Sequence, residues 1–266
     1  MTAEARSASE FSSARRDFVL RRLHGLSGLV PVGIFLVSHL WTNAKALKGQ
    51  AAFDHAVEGI NHLPFLPLIE IFGIFLPLAF HALYGVKLAL DARTNVTRYP
   101  YSRNVFFALQ RATGLVAFVF IGLHLWEFRI PKLLGRMRPD AFYPTLELHL
   151  SSVWGGVPIA AIVYLVGIAA SVFHLSNGLL TLSFSWGLCV TRRSQRLFGV
   201  AYAVFGVLLF AMGAETVLHF ATGRSLSALA GMHSSSTLEQ CSVVDPPPPR
   251  SAAPAASQSA PAPVTP

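Results

Sequence analysis

The sequence predicts an all-α integral membrane protein with five transmembrane helices, on the basis of its composition and its apolar runs. Of 266 residues, 53% are hydrophobic and 13% are charged, and the mean hydropathy is +0.50. These values lie outside the range of soluble proteins. Five runs reach the length of about 20 apolar residues that a hydrocarbon core of about 30 Å requires. The runs are Leu23–Ala44, Leu66–Leu90, Phe106–Ile130, Val157–Thr181 and Phe198–Phe220.

Basic residues lie at the ends of these runs, where they determine membrane topology. The formal net charge of +8 therefore does not indicate a nucleic-acid partner. If the N-terminus is inside, eleven of the Lys and Arg residues in the segments close to the runs lie inside and seven lie outside, which favours that orientation. Four of the inner residues lie just before the first run, namely Arg15, Arg16, Arg21 and Arg22.

The composition divides the chain into three regions. Residues 1–20 are polar and predict a cytoplasmic N-terminal segment without a cleaved signal peptide. Residues 21–223 contain the five runs, and residues 224–266 are rich in Pro, Ala and Ser, so we expect a disordered tail. The two cysteines, Cys189 and Cys241, form no metal-binding pattern, which argues against thiol chemistry.

Four of the five runs each contain one histidine deep among membrane-compatible residues, whereas His24 and His219 lie at the ends of the first and fifth runs. An ionisable ring in hydrocarbon is unfavourable unless it is neutral and bonded. At 1.5 Å per residue, His39 and His124 lie about 24 and 27 Å along helices that run outward. His81 and His174 lie about 22–26 Å below the outer ends of helices that run inward. The depths therefore predict an outer pair, His39 with His124, and an inner pair, His81 with His174.

Two imidazole pairs at two levels predict two stacked b-type haems inside a bundle of the first four helices. Haem iron takes two axial imidazoles, and a six-coordinate iron suits electron transfer because no site remains for oxygen. A separation of roughly 15–20 Å between the levels permits electron transfer across the bilayer. For any single histidine, an interhelical hydrogen bond is an equally good explanation. Four histidines that form two pairs, each pair at one depth in the membrane, favour the haem interpretation.

Four further residues are candidates for contacts with the haems. Gly85 and Gly178 lie four residues past the two inner histidines, on the same helical faces, and would leave space for the macrocycle. Small residues are also common wherever membrane helices pack. Arg22 and His24 at the inner end could meet a haem propionate, or His24 could meet a lipid headgroup.

Two carboxylates are candidates for a quinone site. Glu70 and Glu127 fall near the outer ends of the second and third helices. At that level they could exchange protons with a quinone beside the outer haem. The alternative is that both are solvated residues at helix ends.

Two other function classes remain open on these observations. Cytochrome b subunits of hydrogenases or formate dehydrogenases also bind haem through histidine pairs. Some of them place two ligands on one helix, whereas here each helix has one. A haem-free proton-coupled transporter would use the histidines as relays, but we find no internal repeat of the kind such transporters show.

Four segments resemble one known family, the diheme cytochrome b anchor of succinate:quinone oxidoreductases, in its single-chain, five-helix b558 form. The similarity extends from about Arg21 to Phe220. The segments are RRLHGLSGLVPVGIFLVSHL, EIFGIFLPLAFHALYGV, ALQRATGLVAFVFIGLHLWEFRI and FHLSNGLLTLSFSWGLCVTRRSQR.

The resemblance implies roles for particular residues and partners. The axial ligands of the family fall on His39, His81, His124 and His174, with the same pairing that depth predicts. It also implies a flavoprotein subunit that oxidises succinate and an iron–sulfur subunit that docks on the inner face of a bacterial cytoplasmic membrane. Electrons would pass through the inner and the outer haem to a quinone, expected to be menaquinone.

The chain departs from the family pattern in two places. The Pro- and Ala-rich tail has no counterpart in that pattern. In the fumarate-reducing branch a glutamate stands beside the inner histidine of the fourth helix, whereas here Ser171, Val172 and Phe173 precede it. The second difference favours succinate oxidation over fumarate reduction.

Overall fold

The fold, taken from a computed structural model, is described for residues 3–93 and 96–224. It is 83% helical, and within the described residues the only β-type pairing is an isolated bridge between Trp154 and Val157. Five helices are long and apolar enough to cross a membrane, which confirms the predicted fold class. In chain order the helices are α1 Phe11–Lys48, α2 Gln50–Asn61, α3 Leu66–Leu90, α4 Ser102–Leu133, α5 Phe142–Leu150, α6 Ile159–Ser185 and α7 Arg192–Thr222.

The first membrane helix begins earlier than the sequence predicts. A helical segment starts at Ala3 and continues into α1 without interruption. Neither proline nor glycine occurs before Gly25, so nothing in the local sequence stops the helix. The predicted tail lies outside the described residues from position 225 onward.

Helix α6 is the most buried of the five membrane helices and packs against α4 and α7. Glycines on α7 allow its backbone to approach α6 closely. A Cβ atom on Gly206 would lie 2.5 Å from Ser176 Oγ, and one on Gly213 would lie 3.0 Å from Ile168 Cγ2. Close backbone approach is what holds helices together in lipid, where the hydrophobic effect between them is weak.

The two short helices close one end of the bundle. Phe53 of α2, Tyr143 of α5 and Phe220 of α7 pack together, with ring centroids 5.1–6.1 Å apart. Leu146 and Leu150 of α5 are buried in the same cluster. The helix α5 therefore makes part of the long connection between α4 and α6 a packed element.

Three membrane helices contain a π-helical turn next to a proline. Proline lacks an N–H group and its ring crowds the preceding turn, so a widened turn is one way to keep the helix continuous. None of the three helices is broken. The turns are Gly28–Gly33, which contains Pro31, Ile69–Phe75 before Pro77, and Leu125–Arg129 before Pro131.

Candidate functional site

The structure brings the four intramembrane histidines together in two pairs. The ring centroids of His81 and His174 are 6.0 Å apart with an interplanar angle of 84°. Those of His39 and His124 are 5.6 Å apart at 74°. We refer to the ends of the bundle that hold these pairs as the inner and the outer end, following the predicted topology.

The distances fit a metal held between two imidazoles. An imidazole nitrogen lies about 2 Å from a bound metal ion, so two rings on opposite sides of one metal have centroids roughly 6 Å apart. A bare ion would need further protein ligands, and the described residues contain no group of three or more His, Cys, Asp or Glu that could supply them. A haem, which needs two axial ligands only, fits each pair.

Backbone carbonyls orient both inner histidines. His81 Nδ1 lies 2.9 Å from the carbonyl oxygen of His24, and His174 Nδ1 lies 2.9 Å from that of Gln110. A carbonyl can only accept a hydrogen bond, so Nδ1 carries the proton in both rings. The Nε2 lone pair is then free to bind a metal, which is the usual arrangement of a metal-binding histidine.

Each inner ring also lies against a glycine of the neighbouring helix. A Cβ atom on Gly28 would lie 2.2 Å from His81 Cε1, and one on Gly114 would lie 2.8 Å from His174 Cε1. Both glycines follow, by four residues, the residue whose carbonyl accepts the histidine proton. Absence of a side chain at these positions lets each ring reach the neighbouring backbone.

The two glycines predicted from the sequence make looser contacts. A Cβ atom on Gly85 would lie 3.0 Å from His24 Cε1, and one on Gly178 would lie 3.5 Å from Gln110 Nε2. Both residues nevertheless line the cavity described next.

A cavity of about 810 Å³ surrounds the inner pair. Its volume falls within the range of about 300–1,000 Å³ that is typical of pockets for organic ligands. Both inner histidines and His24 line it, together with four arginines. The arginines are Arg21, Arg103, Arg111 and Arg196.

Two polar atoms of the cavity wall lack a partner. Within the described residues, no hydrogen-bond partner reaches Arg111 Nε or His24 Nδ1, and both atoms are buried. An orphaned buried donor is costly unless something occupies the site. Arg111 Nε can only donate, and the propionates of a haem would offer it a negatively charged acceptor. The residues present therefore fit a haem at the inner pair.

The predicted propionate residue Arg22 lies elsewhere. Its guanidinium lies 5.1 Å from the ring centroid of Phe18 and 5.6 Å from that of Trp186. The adjacent Arg21 lines the cavity instead. His24 does line the cavity, and its ring stacks on His81 with centroids 4.1 Å apart.

The outer pair is held by side chains rather than by carbonyls. His124 Nδ1 lies 3.3 Å from the Tyr164 hydroxyl, which donates to Glu127 Oε2 at 2.7 Å. His149 Nε2 lies 3.4 Å from the same carboxylate oxygen, so a residue of α5 joins this network. His39 differs, because its Nε2 faces Asn43 Nδ2 at 3.4 Å.

The second predicted carboxylate, Glu70, forms an ion pair. Arg129 donates to Glu70 Oε2 at 2.6 Å, and both side chains are largely buried, with exposures of 25% and 19%. The pair links α3 to the outer end of α4. Glu70 is therefore not a solvated residue at a helix end.

Three residues of these sites were not singled out from the sequence. Gln110 and Tyr164 act across helix interfaces, and no local pattern marks them. Arg111 could have been found, because it lies inside the third apolar run and a charge at such a position is a functional signal.

Comparison with known proteins agrees with the geometry. No family model matches the chain. The succinate dehydrogenase cytochrome b558 subunit of Bacillus subtilis (strain 168) is 40% identical over 208 residues, which cover 78% of this chain and 99% of that protein. With a relative this similar along nearly its whole length, the chain belongs to the family of succinate dehydrogenase cytochrome b558 subunits, which are membrane-bound, haem b-containing parts of an oxidoreductase.

Proposed function

We propose that this chain anchors a succinate dehydrogenase in the membrane and carries its electrons to a quinone through two b haems. The observation that carries the proposal is the meeting of four histidines, one from each of four helices, as two facing pairs. A single haem would leave one pair of neutral imidazoles in the membrane without a role. Two haems account for both pairs.

The residues hold and orient these groups. We assign His81 and His174 as axial ligands of the inner haem, and His39 and His124 as those of the outer haem. A haem with two imidazole ligands supplies reversible one-electron transfer and leaves no site for oxygen. Exposed apolar side chains on the outside of the helices face lipid, and they keep water from the histidines.

The inner end provides a surface for partner subunits. The inner cavity reaches Ser102 and Arg103 at the start of α4 and Arg196 near the start of α7. A subunit docked there would lie close to the inner pair. We propose that this subunit is an iron–sulfur protein, joined to a flavoprotein that oxidises succinate, and that both lie on the cytoplasmic side of a bacterial membrane.

The outer end provides carboxylates for quinone chemistry. Reduction of a quinone takes up protons, and Glu127 is 33% exposed while its Oε2 contacts both Tyr164 and His149. Glu70 is paired with Arg129, which leaves its other oxygen available. We propose that a quinone, with menaquinone as the expected species, is reduced beside the outer haem, and that one of these carboxylates takes up a proton and passes it to the reduced quinone.

The test is the haem content of the complex purified from membranes with its partner subunits. We expect two haems per chain by pyridine haemochrome assay, and one haem per chain in the His81→Ala variant. His62→Ala is the matched control, since His62 is exposed and its ring bonds to the backbone carbonyl of Glu58 in its own helical turn, far in sequence from the four paired histidines. Unchanged haem content in His81→Ala would overturn the assignment.

A further inference from the structure

We propose that Tyr164, held by Glu127, is the residue that positions His124 for iron binding at the outer haem. The inference rests on the proposed function, because it takes His124 to be an axial ligand. It adds a residue of α6 to a pair formed by α1 and α4. Neither Tyr164 nor its link to Glu127 has a counterpart at the inner pair.

The direction of the hydrogen bonds carries the argument. A tyrosine hydroxyl has one proton, and Tyr164 donates it to Glu127 Oε2 at 2.7 Å. Toward His124 the hydroxyl can then only accept. His124 Nδ1, 3.3 Å away, must therefore carry the ring proton, and Nε2 is left with the free lone pair. Glu127 thus selects the tautomer of His124 through Tyr164.

The hydroxyl has little freedom to turn away. Tyr164 is 7% exposed, and its ring meets Phe120 edge to face with centroids 5.2 Å apart. Phe120 is fixed in turn against Gly167, where a Cβ atom would lie 2.2 Å from the Phe120 ring. The position of Tyr164 is therefore set by packing between α4 and α6.

This arrangement has an electronic consequence. A metal-bound imidazole whose Nδ1–H bonds to an acceptor becomes more basic, and more so when that acceptor is linked to a carboxylate. A more basic ligand stabilises the ferric state and lowers the reduction potential. Removal of the Tyr164 hydroxyl should therefore raise the midpoint potential of the outer haem and leave the midpoint potential of the inner haem unchanged.

The experiment is a redox titration of both haems in the intact complex carrying Tyr164→Phe. The outer haem is identified as the one whose optical signal disappears in His39→Ala. We expect an upward shift of its midpoint potential and a change in its ferric low-spin resonance, with two haems still present. Tyr202→Phe is the matched control, because Tyr202 contacts Ser183 at the interface of α6 and α7 and no ligand histidine.

A second variant, Glu127→Gln, tests the same role if Tyr164→Phe fails to fold. Glu127→Gln keeps the ring and the hydroxyl of Tyr164 but removes the carboxylate to which the hydroxyl donates. We expect a smaller upward shift of the midpoint potential of the outer haem. The positioning role would be refuted if the midpoint potential of the outer haem were unchanged in both variants. It would also be refuted if Tyr202→Phe shifted that potential by the same amount. Wild-type complex with fewer than two haems would instead refute the proposed function, so the two failures are distinguishable.

Discussion

Both inner histidines and His124 of the outer pair have the same tautomer, but different groups select it. At the inner end the acceptors for Nδ1 of His81 and His174 are carbonyls of the backbone. At the outer end the acceptor for His124 is the side chain of Tyr164. A backbone acceptor survives any substitution that keeps the helix in place, whereas a side-chain acceptor is lost by a single substitution. The outer site is therefore the one that single side-chain changes can adjust.

The groups that surround the inner and the outer histidine rings also differ. The inner rings lie against the backbone at Gly28 and Gly114, where no side chain fits, and the aromatic ring next to them is His24, stacked on His81. The outer rings lie among aromatic side chains, with Phe35 stacked on His39 at 5.3 Å and Phe128 at 5.4 Å from His124. Bare backbone allows little adjustment, whereas aromatic rings can repack. The inner site should therefore be the more sensitive to an added methyl group.

The largest expected effect is that of Gly28→Ala. Alanine favours a helix over glycine by about 1 kcal/mol, but its Cβ would lie 2.2 Å from His81 Cε1 and 2.5 Å from Nδ1. The steric effect dominates, because the ring can leave only by breaking its bond to the carbonyl of His24. We expect loss of one haem per chain in the pyridine haemochrome assay.

The control for this substitution is Gly122→Ala. A Cβ atom on Gly122 meets no atom within 4 Å among the described residues, so both haems should remain. Two haems in Gly28→Ala would mean that the His81 ring is not fixed by the backbone, and the contrast between the ends would fail.

The features predicted from the sequence are those that helix length and rise determine. Run lengths predict five spans, and rise per residue predicts which histidines share a level. The rotation of each helix about its axis is not available from a single sequence, and it decides which residues meet across an interface. Spacing within one helix therefore pairs Gly85 with His81, whereas the glycine against which the His81 ring lies is Gly28 of another helix, and no spacing within a helix can pair these two.

The same limit explains Arg22 and Tyr164. Neighbouring arginines point about 100° apart on a helix, so the sequence could not decide between Arg21 and Arg22 for the cavity. Tyr164 occurs in an apolar run where a tyrosine is unremarkable. Only its contact with Glu127 and His124 gives it a role.

An intermediate effect is expected for Glu70→Gln, which tests the outer end as a site held by side chains. The substitution keeps a hydrogen-bond acceptor for Arg129 but removes the charge of a largely buried pair. We expect a loss of about 1–2 kcal/mol of stability, seen as a lower apparent unfolding temperature of the detergent-solubilised complex.

The control lies at the inner end of the molecule. Lys87 and Asp91 form an exposed ion pair one helical turn apart, and exposed pairs contribute little. Asp91→Asn should therefore leave the unfolding temperature unchanged. Equal effects of the two substitutions would remove the distinction between a buried outer pair and an exposed inner one.

The smallest effect is expected for Gln110→Leu. The Gln110 side chain donates to the carbonyl of His174 at 3.0 Å and accepts from Asn177 at 2.7 Å, so its loss should cost about 1 kcal/mol. The acceptor for His174 Nδ1 is the Gln110 backbone oxygen, which leucine retains. We expect two haems and an inner midpoint potential close to that of the wild type, measured by redox titration beside Tyr164→Phe. The contrast would fail if Gln110→Leu shifted the midpoint potential of the inner haem as much as Tyr164→Phe shifts that of the outer haem. The bond from His174 Nδ1 to the Gln110 backbone oxygen would then not be enough to fix the His174 ring.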